Sequence, residues 1–223
     1  MRIGIVGAGM IGSTVAKLWV DAGHEVKLAS RHPNELEPLV KELGEGASAG
    51  TPKEAAQFGE VVMITVPLKA IPDLPRDLAP LLAGKVVLDT GNAYERRDGA
   101  IAREATSHPK GSAGWDAALF PGARWVKAFN SVYYKVLESE AHRDGDWVGI
   151  PLASDDHGAL ETAANLVRDA GFDPVIVGGL ARGQEFEPDT RPYNTGMSGP
   201  ELRRVFTKPM PRASSAEPPA TGA

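Results

Sequence analysis

A doubly wound α/β fold on a mostly parallel sheet is what this 223-residue sequence predicts, from three observations. Apolar strand-like runs alternate with segments of helical period. Two of those runs, Val61 to Val66 and Lys85 to Asp89, are nearly unbroken and rich in β-branched residues, as strands covered on both faces must be. The first run, Arg2 to Val6, leads straight into Gly7-Ala8-Gly9-Met10-Ile11-Gly12, a Gly-x-Gly-x-x-Gly spacing where a helix begins.

That turn has a physical reason at each glycine. Gly7 lets the chain leave the strand sharply, Gly9 removes a side chain that would hold a pyrophosphate off the backbone, and Gly12 lets the helix pack close to the strand. Unpaired amides at the helix start then face phosphate oxygens. Ile11, Val15, Leu18, Trp19 and Ala22 follow at helical spacing, and Gly23 is placed to stop the helix. The outline is a Rossmann-type dinucleotide site, with Met10 and Ile11 among its cofactor contacts.

Glu25 to Ser30 alternates polar and apolar as a half-buried strand does, and the residue at its end should read the adenosine ribose. An acid there would accept from two free hydroxyls. Here Ser30-Arg31-His32 stands instead, a short donor plus a planar cation, which favours NADP(H) over NAD(H). His32 is expected to face water.

Pro33 to Leu43 reads as a short helix closed by Gly44, followed by a short strand near residues 46–49. Thr51-Pro52 with Glu54 reads as a helix start with a capping box. The loops after the two central strands, Pro67-Leu68-Lys69 and Asp89-Thr90-Gly91-Asn92, are expected to line the cofactor crevice, although Asp89 and Asn92 would serve equally well to close turns. Arg97 to Lys110 is polar and helical in part.

Gly122 to Asn130 reads as another strand, with Lys127 and Asn130 at the crevice rim and Ser131 capping a helix through Leu137. Trp147 to Leu152 is a strand, Ser154-Asp155-Asp156 opens a helix ended by Gly171, and Asp173 to Val177 is a strand. No linker interrupts this, so residues 1–178 form one nucleotide-binding domain. Residues 179–206, rich in glycine, proline, aromatics and arginine and ending in a short helix near Pro200 to Phe206, are expected to cover the crevice; residues 207–223 read as a flexible tail.

Composition narrows the function. The net charge of −5 argues against nucleic acid or an anionic membrane as a partner. The absence of cysteine removes disulfides, thiolate nucleophiles and thiolate metal sites, and no metal centre is expected. With a strand starting at residue 2 there is no room for a signal peptide, and a cytoplasmic protein is expected.

Six stretches together resemble one family. Gly7-Ala8-Gly9-Met10-Ile11-Gly12, Ala29-Ser30-Arg31, Ile64-Thr65-Val66-Pro67, Val126-Lys127-Ala128-Phe129-Asn130, Pro151-Leu152-Ala153-Ser154-Asp155-Asp156 and Gly178-Gly179-Leu180-Ala181-Arg182 are similar, in this order, to the F420-dependent NADP reductases, and also to the NADP-binding domain of the STEAP ferric reductases. The resemblance implies an NADP(H)-dependent oxidoreductase, a homodimer, that moves a hydride between the nicotinamide and a deazaflavin of the coenzyme F420 type. It implies that Ser30 and Arg31 hold the 2′-phosphate, that the glycine turn holds the pyrophosphate, and that Pro67, Ala128 and Asn130 surround the nicotinamide. Lys69 and Asn92 join the cofactor contacts, and Arg182 and Tyr193 face the second substrate. Ala8-Gly9-Met10 departs from the Thr-Gly-Asn those reductases tend to carry.

Transfer to a deazaflavin needs alignment of two rings rather than an acid or base, in keeping with five unclustered histidines. Other acceptors stay open: a flavin, a ferric chelate, a quinone, or a ketone or imine, for which Tyr193, Tyr133 or Lys127 would be the proton donor. A redox sensor that binds NADP without turnover is the remaining alternative.

Overall fold

The computed structural model describes residues 1–207, so most of the segment read as a tail lies outside the described residues. Arg2–Val6 forms β1, Met10–Asp21 α1 and Glu25–Ala29 β2. Pro33–Leu36 is a 3₁₀ turn that passes into α2 at Glu37–Leu43, so the single helix read there has a tighter first turn. Ala47–Gly50 is β3. Thr51 then caps α3, Pro52–Phe58, through the reciprocal bonds of a capping box with Glu54.

Val61–Ile64 is β4; after a 3₁₀ stretch at Leu68–Asp73 come α4, Pro75–Leu82, and β5, Val86–Asp89. The region from Glu95 holds three short helices: α5 at Glu95–Asp98, α6 at Ala100–Thr106 and α7 at Gly111–Ala118. Arg124–Lys127 is β6. Tyr134–Ser139 is α8, which starts three residues beyond the expected Ser131 cap; extended Tyr133 precedes it instead. Gly149–Ala153 is β7, His157–Asp169 is α9 with Asp156 as its N-cap, and Asp173–Gly178 is β8. A 3₁₀ turn at Leu180–Phe186 and α10, Gly199–Phe206, complete the described chain.

The strands form one sheet in the order β3-β2-β1-β4-β5-β6-β7-β8. Strands β1 to β6 are parallel, whereas β7 runs antiparallel to β6 and is followed by a parallel β8. The order reverses between β1 and β4, and a crevice must open above the carboxyl ends there.

Two apolar layers cover the sheet. On one face α1 and α9 pack together around Trp19, whose indole donates to the Leu166 carbonyl at 2.9 Å and meets Phe129 edge to face. The opposite layer is built from α3, α4, α6 and α7. Strands β4, β5 and β7 are buried along their whole length, which is why their sequences carry no polar alternation. No helix among the described residues is long and apolar enough to cross a membrane.

Candidate functional site

The glycine turn is tight where packing requires it and open where a ligand would lie. Gly7 has φ of 110°, and a Cβ there would stand 2.4 Å from the Thr65 carbonyl oxygen. A Cβ on Gly12 would stand 2.2 Å from the Gly7 carbonyl oxygen, so α1 approaches β1 only because a hydrogen occupies that place. Gly9 is different: an added Cβ meets nothing within 4 Å. Its bareness serves the space outside the protein. Gly9 also caps α1 without a side-chain bond, leaving the first amides of the helix turned to that space as an anion cradle.

At the end of β2, the Ser30 hydroxyl oxygen accepts the His32 amide at 2.9 Å, which orders the loop and keeps the hydroxyl hydrogen available. Arg31 is exposed, and no ion pair engages it among the described residues. A serine hydroxyl beside a free guanidinium fits a 2′-phosphate. Together with the open cradle at Gly9, these residues fit NADP(H).

From the glycine turn a cleft of about 430 Å³ runs across the carboxyl ends of β4, β5 and β6. Met10, Ile11, Pro67, Asn92 and Asn130 line it, as expected of them. Asn92 and Asn130 clamp one another: Asn130 Nδ2 donates to Asn92 Oδ1 at 3.0 Å, and Asn92 Nδ2 to the Asn130 carbonyl at 2.8 Å. Asn130 Nδ2 also reaches the Phe186 carbonyl, while its Oδ1 is buried and unpartnered.

Ser30 and Arg31 lie outside this cleft, and Ala128, Lys69 and Arg182, expected near the nicotinamide and second substrate, do not line it. Ala128 is fully buried; Phe129 after it, with φ of 59°, borders the cleft while its ring packs on Trp19 in the core. A bulky residue in this left-handed region is strained, and Asn194, the other cleft residue of this kind, has φ of 55°. Lys69 is exposed on the 3₁₀ stretch that leads away after Pro67, and its amide donates to buried Asp98. Arg182 is engaged in holding the C-terminal segment: its guanidinium grips Glu185 at 2.6 and 2.7 Å and donates to the carbonyls of Val177 and Phe206. Of residues 179–206, Tyr193 and Asn194 reach the cleft, whereas α10 packs on β7 and β8.

The chain has four tyrosines, and all four line this cleft: Tyr94, Tyr133, Tyr134 and Tyr193. The hydroxyls of Tyr94 and Tyr193 bond to each other across 99 residues of sequence. Burial, and then the Tyr94 hydroxyl, raise the Tyr193 pKa, so its phenol stays protonated. Tyr133 and Tyr134 meet edge to face at 4.7 Å. Arg97 lies over the Tyr94 ring at 4.8 Å and is bound by Asp98, whose carboxylate is fully buried. Burial alone would raise the Asp98 pKa, but hydrogen bonds from Arg97 and from the Tyr94 and Lys69 amides hold it below the usual range.

Beneath the cleft lies a charged cluster. Lys127, expected at the rim, is fully buried instead, because β6 is covered on both faces up to its last residue. Its ammonium contacts Asp89 at 3.2 Å, Ser112 at 3.3 Å, Glu187 at 3.6 Å and the Gly91 carbonyl. Burial lowers its pKa, but Asp89, Glu187 and Asp116 outweigh that and the ammonium stays charged. Asp89 Oδ1 accepts the Gly91 amide at 2.7 Å, so the cluster fixes the loop 90–92 that lines the cleft. Neither Asp89 nor Lys127 touches the cleft.

Comparison with known proteins agrees with this geometry. Residues 2–93 match the sequence model of the family described as NADP oxidoreductase, coenzyme F420-dependent. Metalloreductase STEAP3 of Rattus norvegicus is 31% identical over 186 residues, 83% of this chain but 36% of its own length, so this chain spans about a third of that relative. F420-dependent NADP reductase of Methanothermobacter marburgensis is 29% identical over 203 residues, 85% of this chain and 89% of its own length. Among solved structures, a hypothetical protein of Sinorhizobium meliloti superposes with a TM-score of 0.77 at 27% identity, covering 89% of this chain and 95% of that one.

Proposed function

The N-terminal unit of this chain, residues 2–93, belongs to the coenzyme F420-dependent family of NADP oxidoreductases, and from that premise we propose that the protein reduces a flat, conjugated carrier of the deazaflavin type. The observation that carries this reading is the gathering of every tyrosine of the chain on one cleft that begins at the glycine turn. Aromatic walls of this kind favour a ring laid against them. Bound NADPH supplies the hydride.

The chain's own residues then bind and align. The amides after Gly9 hold the pyrophosphate, and Ser30 with Arg31 holds the 2′-phosphate. Pro67, the Asn92 and Asn130 pair and the strained Phe129 backbone form a rigid bed for the nicotinamide. A carbon-to-carbon transfer asks for this alignment and for exclusion of water. No carboxylate or histidine lines the cleft among the described residues, in keeping with a reaction that needs no general base.

One observation favours a second reading. The Tyr193 phenol, held protonated beside Tyr94, is a suitable donor to the heteroatom of a reduced ketone or imine.

NADPH oxidation followed by absorbance, with F420 compared against FMN, FAD, ferric chelates, a quinone and a cyclic imine, separates these. Rapid turnover with F420 alone is the expected result. Turnover with the imine and not with F420, abolished in Tyr193→Phe, would establish the second reading, and NADPH binding without any turnover would leave a sensor.

The cofactor preference has its own test. Arg31→Ala should weaken NADPH binding by about 1.5–3 kcal/mol, the range for a hydrogen bond to a charged group, and leave NADH binding unaltered. Fluorescence titration of both cofactors measures this, and equal losses would refute a role at the 2′-phosphate.

A further inference from the structure

Arg97 is the one charged side chain among the described residues that line the cleft. Its donors are divided unevenly. The Nε and Nη2 edge is spent: Nε donates to both Asp98 oxygens at 2.9 and 3.1 Å, and Nη2 to Asp98 and to the Asn92 carbonyl, both at 2.8 Å. Nη1, on the opposite edge of the guanidinium, has no partner among the described residues, and the side chain is 38% exposed.

Asp98 in turn is fixed from behind by the Tyr94 and Lys69 amides at 3.1 and 3.3 Å. The guanidinium is therefore held in a single orientation, stacked on the Tyr94 ring, before any ligand arrives. Beside it, only one hydroxyl of the Tyr94 and Tyr193 pair donates within the pair, so the other O–H is left over. An unspent Nη1 group and a spare phenol hydrogen share one end of a cleft that holds no carboxylate among the described residues.

We propose that this corner is an anion subsite, and that Arg97 selects acceptors whose ring carries an anionic arm, a phosphate or a carboxylate. The inference rests on the reading of the cleft as the acceptor site. It deepens that reading: the acceptor is not only flat and conjugated but negatively charged, and a neutral ring of the same shape is a poor substrate. The preformed guanidinium makes the selection geometric as well as electrostatic, because Nη1 is held in one place and offers its two N–H groups to the oxygens of a phosphate or carboxylate.

FMN and riboflavin have the same ring and differ by one phosphate, so they isolate this term. Their dissociation constants are measured by flavin fluorescence, on the native protein with and without saturating NADP⁺, and NADPH affinity is titrated separately. The native protein should bind FMN at least tenfold more tightly than riboflavin, with the ratio falling as salt is raised. Arg97→Lys keeps a charge for Asp98 but has no second nitrogen to stand where Nη1 does, and should bring the ratio to within about threefold. Arg97→Gln with Asp98→Asn removes the pair without stranding a buried charge, and should bring it to about one.

A native protein without a preference for FMN overturns the subsite, as does a preference that survives in both variants. Binding of neither flavin, with NADPH bound normally, also overturns it and leaves the cofactor site standing. Failure of NADPH to bind would refute the cofactor reading itself, while the flavin ratio without NADP⁺ still decides the role of Arg97.

Discussion

Lys127→Met is expected to cost about 3–5 kcal/mol of stability, the range for removing one partner of a buried ion pair. The side chain it removes lies fully buried between Asp89 and Glu187 and is the one cation of that cluster. Methionine fits the space but leaves the carboxylates without a counter-charge and the Gly91 carbonyl without its donor. For a chain of this size the loss corresponds to a fall of about 10 °C in Tm. Because Asp89 and the Gly91 carbonyl shape the loop 90–92, NADPH binding should weaken in whatever fraction stays folded.

The cause can be separated from lost packing. Acidification neutralises stranded carboxylates, so the deficit of Lys127→Met against the native protein should narrow from pH 8 to pH 5. Adding Glu187→Gln to the variant should recover part of it as well. Thermal unfolding by circular dichroism at the two pH values measures both. A deficit below about 1 kcal/mol that does not vary with pH would mean that the cluster is not held together by this charge.

The same lysine marks the limit of what could be read in the sequence. The glycine turn, the strand ends at Ser30 and Asp89 and the capping box at Thr51 were legible because each depends on neighbours within a few residues. Lys127 interrupts the apolar run from Trp125 to Phe129, and nothing local says whether such a residue is solvated or buried. Its partners are Asp89, 38 residues earlier, and Glu187, in a segment without regular pattern. Helices α4 and α7 were missed for a different reason: prolines at 75 and 80 and glycines at 111 and 114 hide the helical period.

The cleft shows the same division. Pro67, Asn92 and Asn130 were found from the rule that ligands lie beyond the carboxyl ends of central strands. Carried a few residues past Asn92, the same rule reaches Tyr94, which carries no expected role, and Arg97, the first residue of the stretch that reads as polar and helical in part. Arg182 was misassigned because an arginine near the end of the sheet domain is ambiguous until Glu185 and the carbonyl of Phe206 are seen around it. The pairing of Tyr94 with Tyr193 spans 99 residues and leaves no local signal.

Asp116 supplies the second large effect. It lies on α7, fully buried, and neither carboxyl oxygen has a hydrogen-bond partner. Burial raises its pKa well above the usual value, and the charges of Asp89 and Glu187 add to that against the opposing Lys127. Between the unfolded value and this raised one, the folded protein holds a proton on Asp116 that the unfolded chain has released. The unfolded chain releases the same proton near pH ~3.9. Above that pH the unfolded state binds fewer protons than the folded one, so stability falls as pH rises. The fall is about 1.4 kcal/mol for each pH unit, from the unfolded pKa up to the raised folded value. The contribution is complete below the unfolded pKa and is lost as pH rises through the folded one. Asp116→Asn abolishes the titration while keeping the shape. The variant should match the native protein near pH 4 and exceed its stability by a margin that widens toward pH 7, as measured by urea unfolding at intervals between them. A margin that stays constant across that range would show that Asp116 is ionised in the fold. Asp116 also lies within reach of the Gly91 backbone, so over the pH range in which it holds its proton the floor of the cleft carries one buried charge fewer for Lys127 to balance.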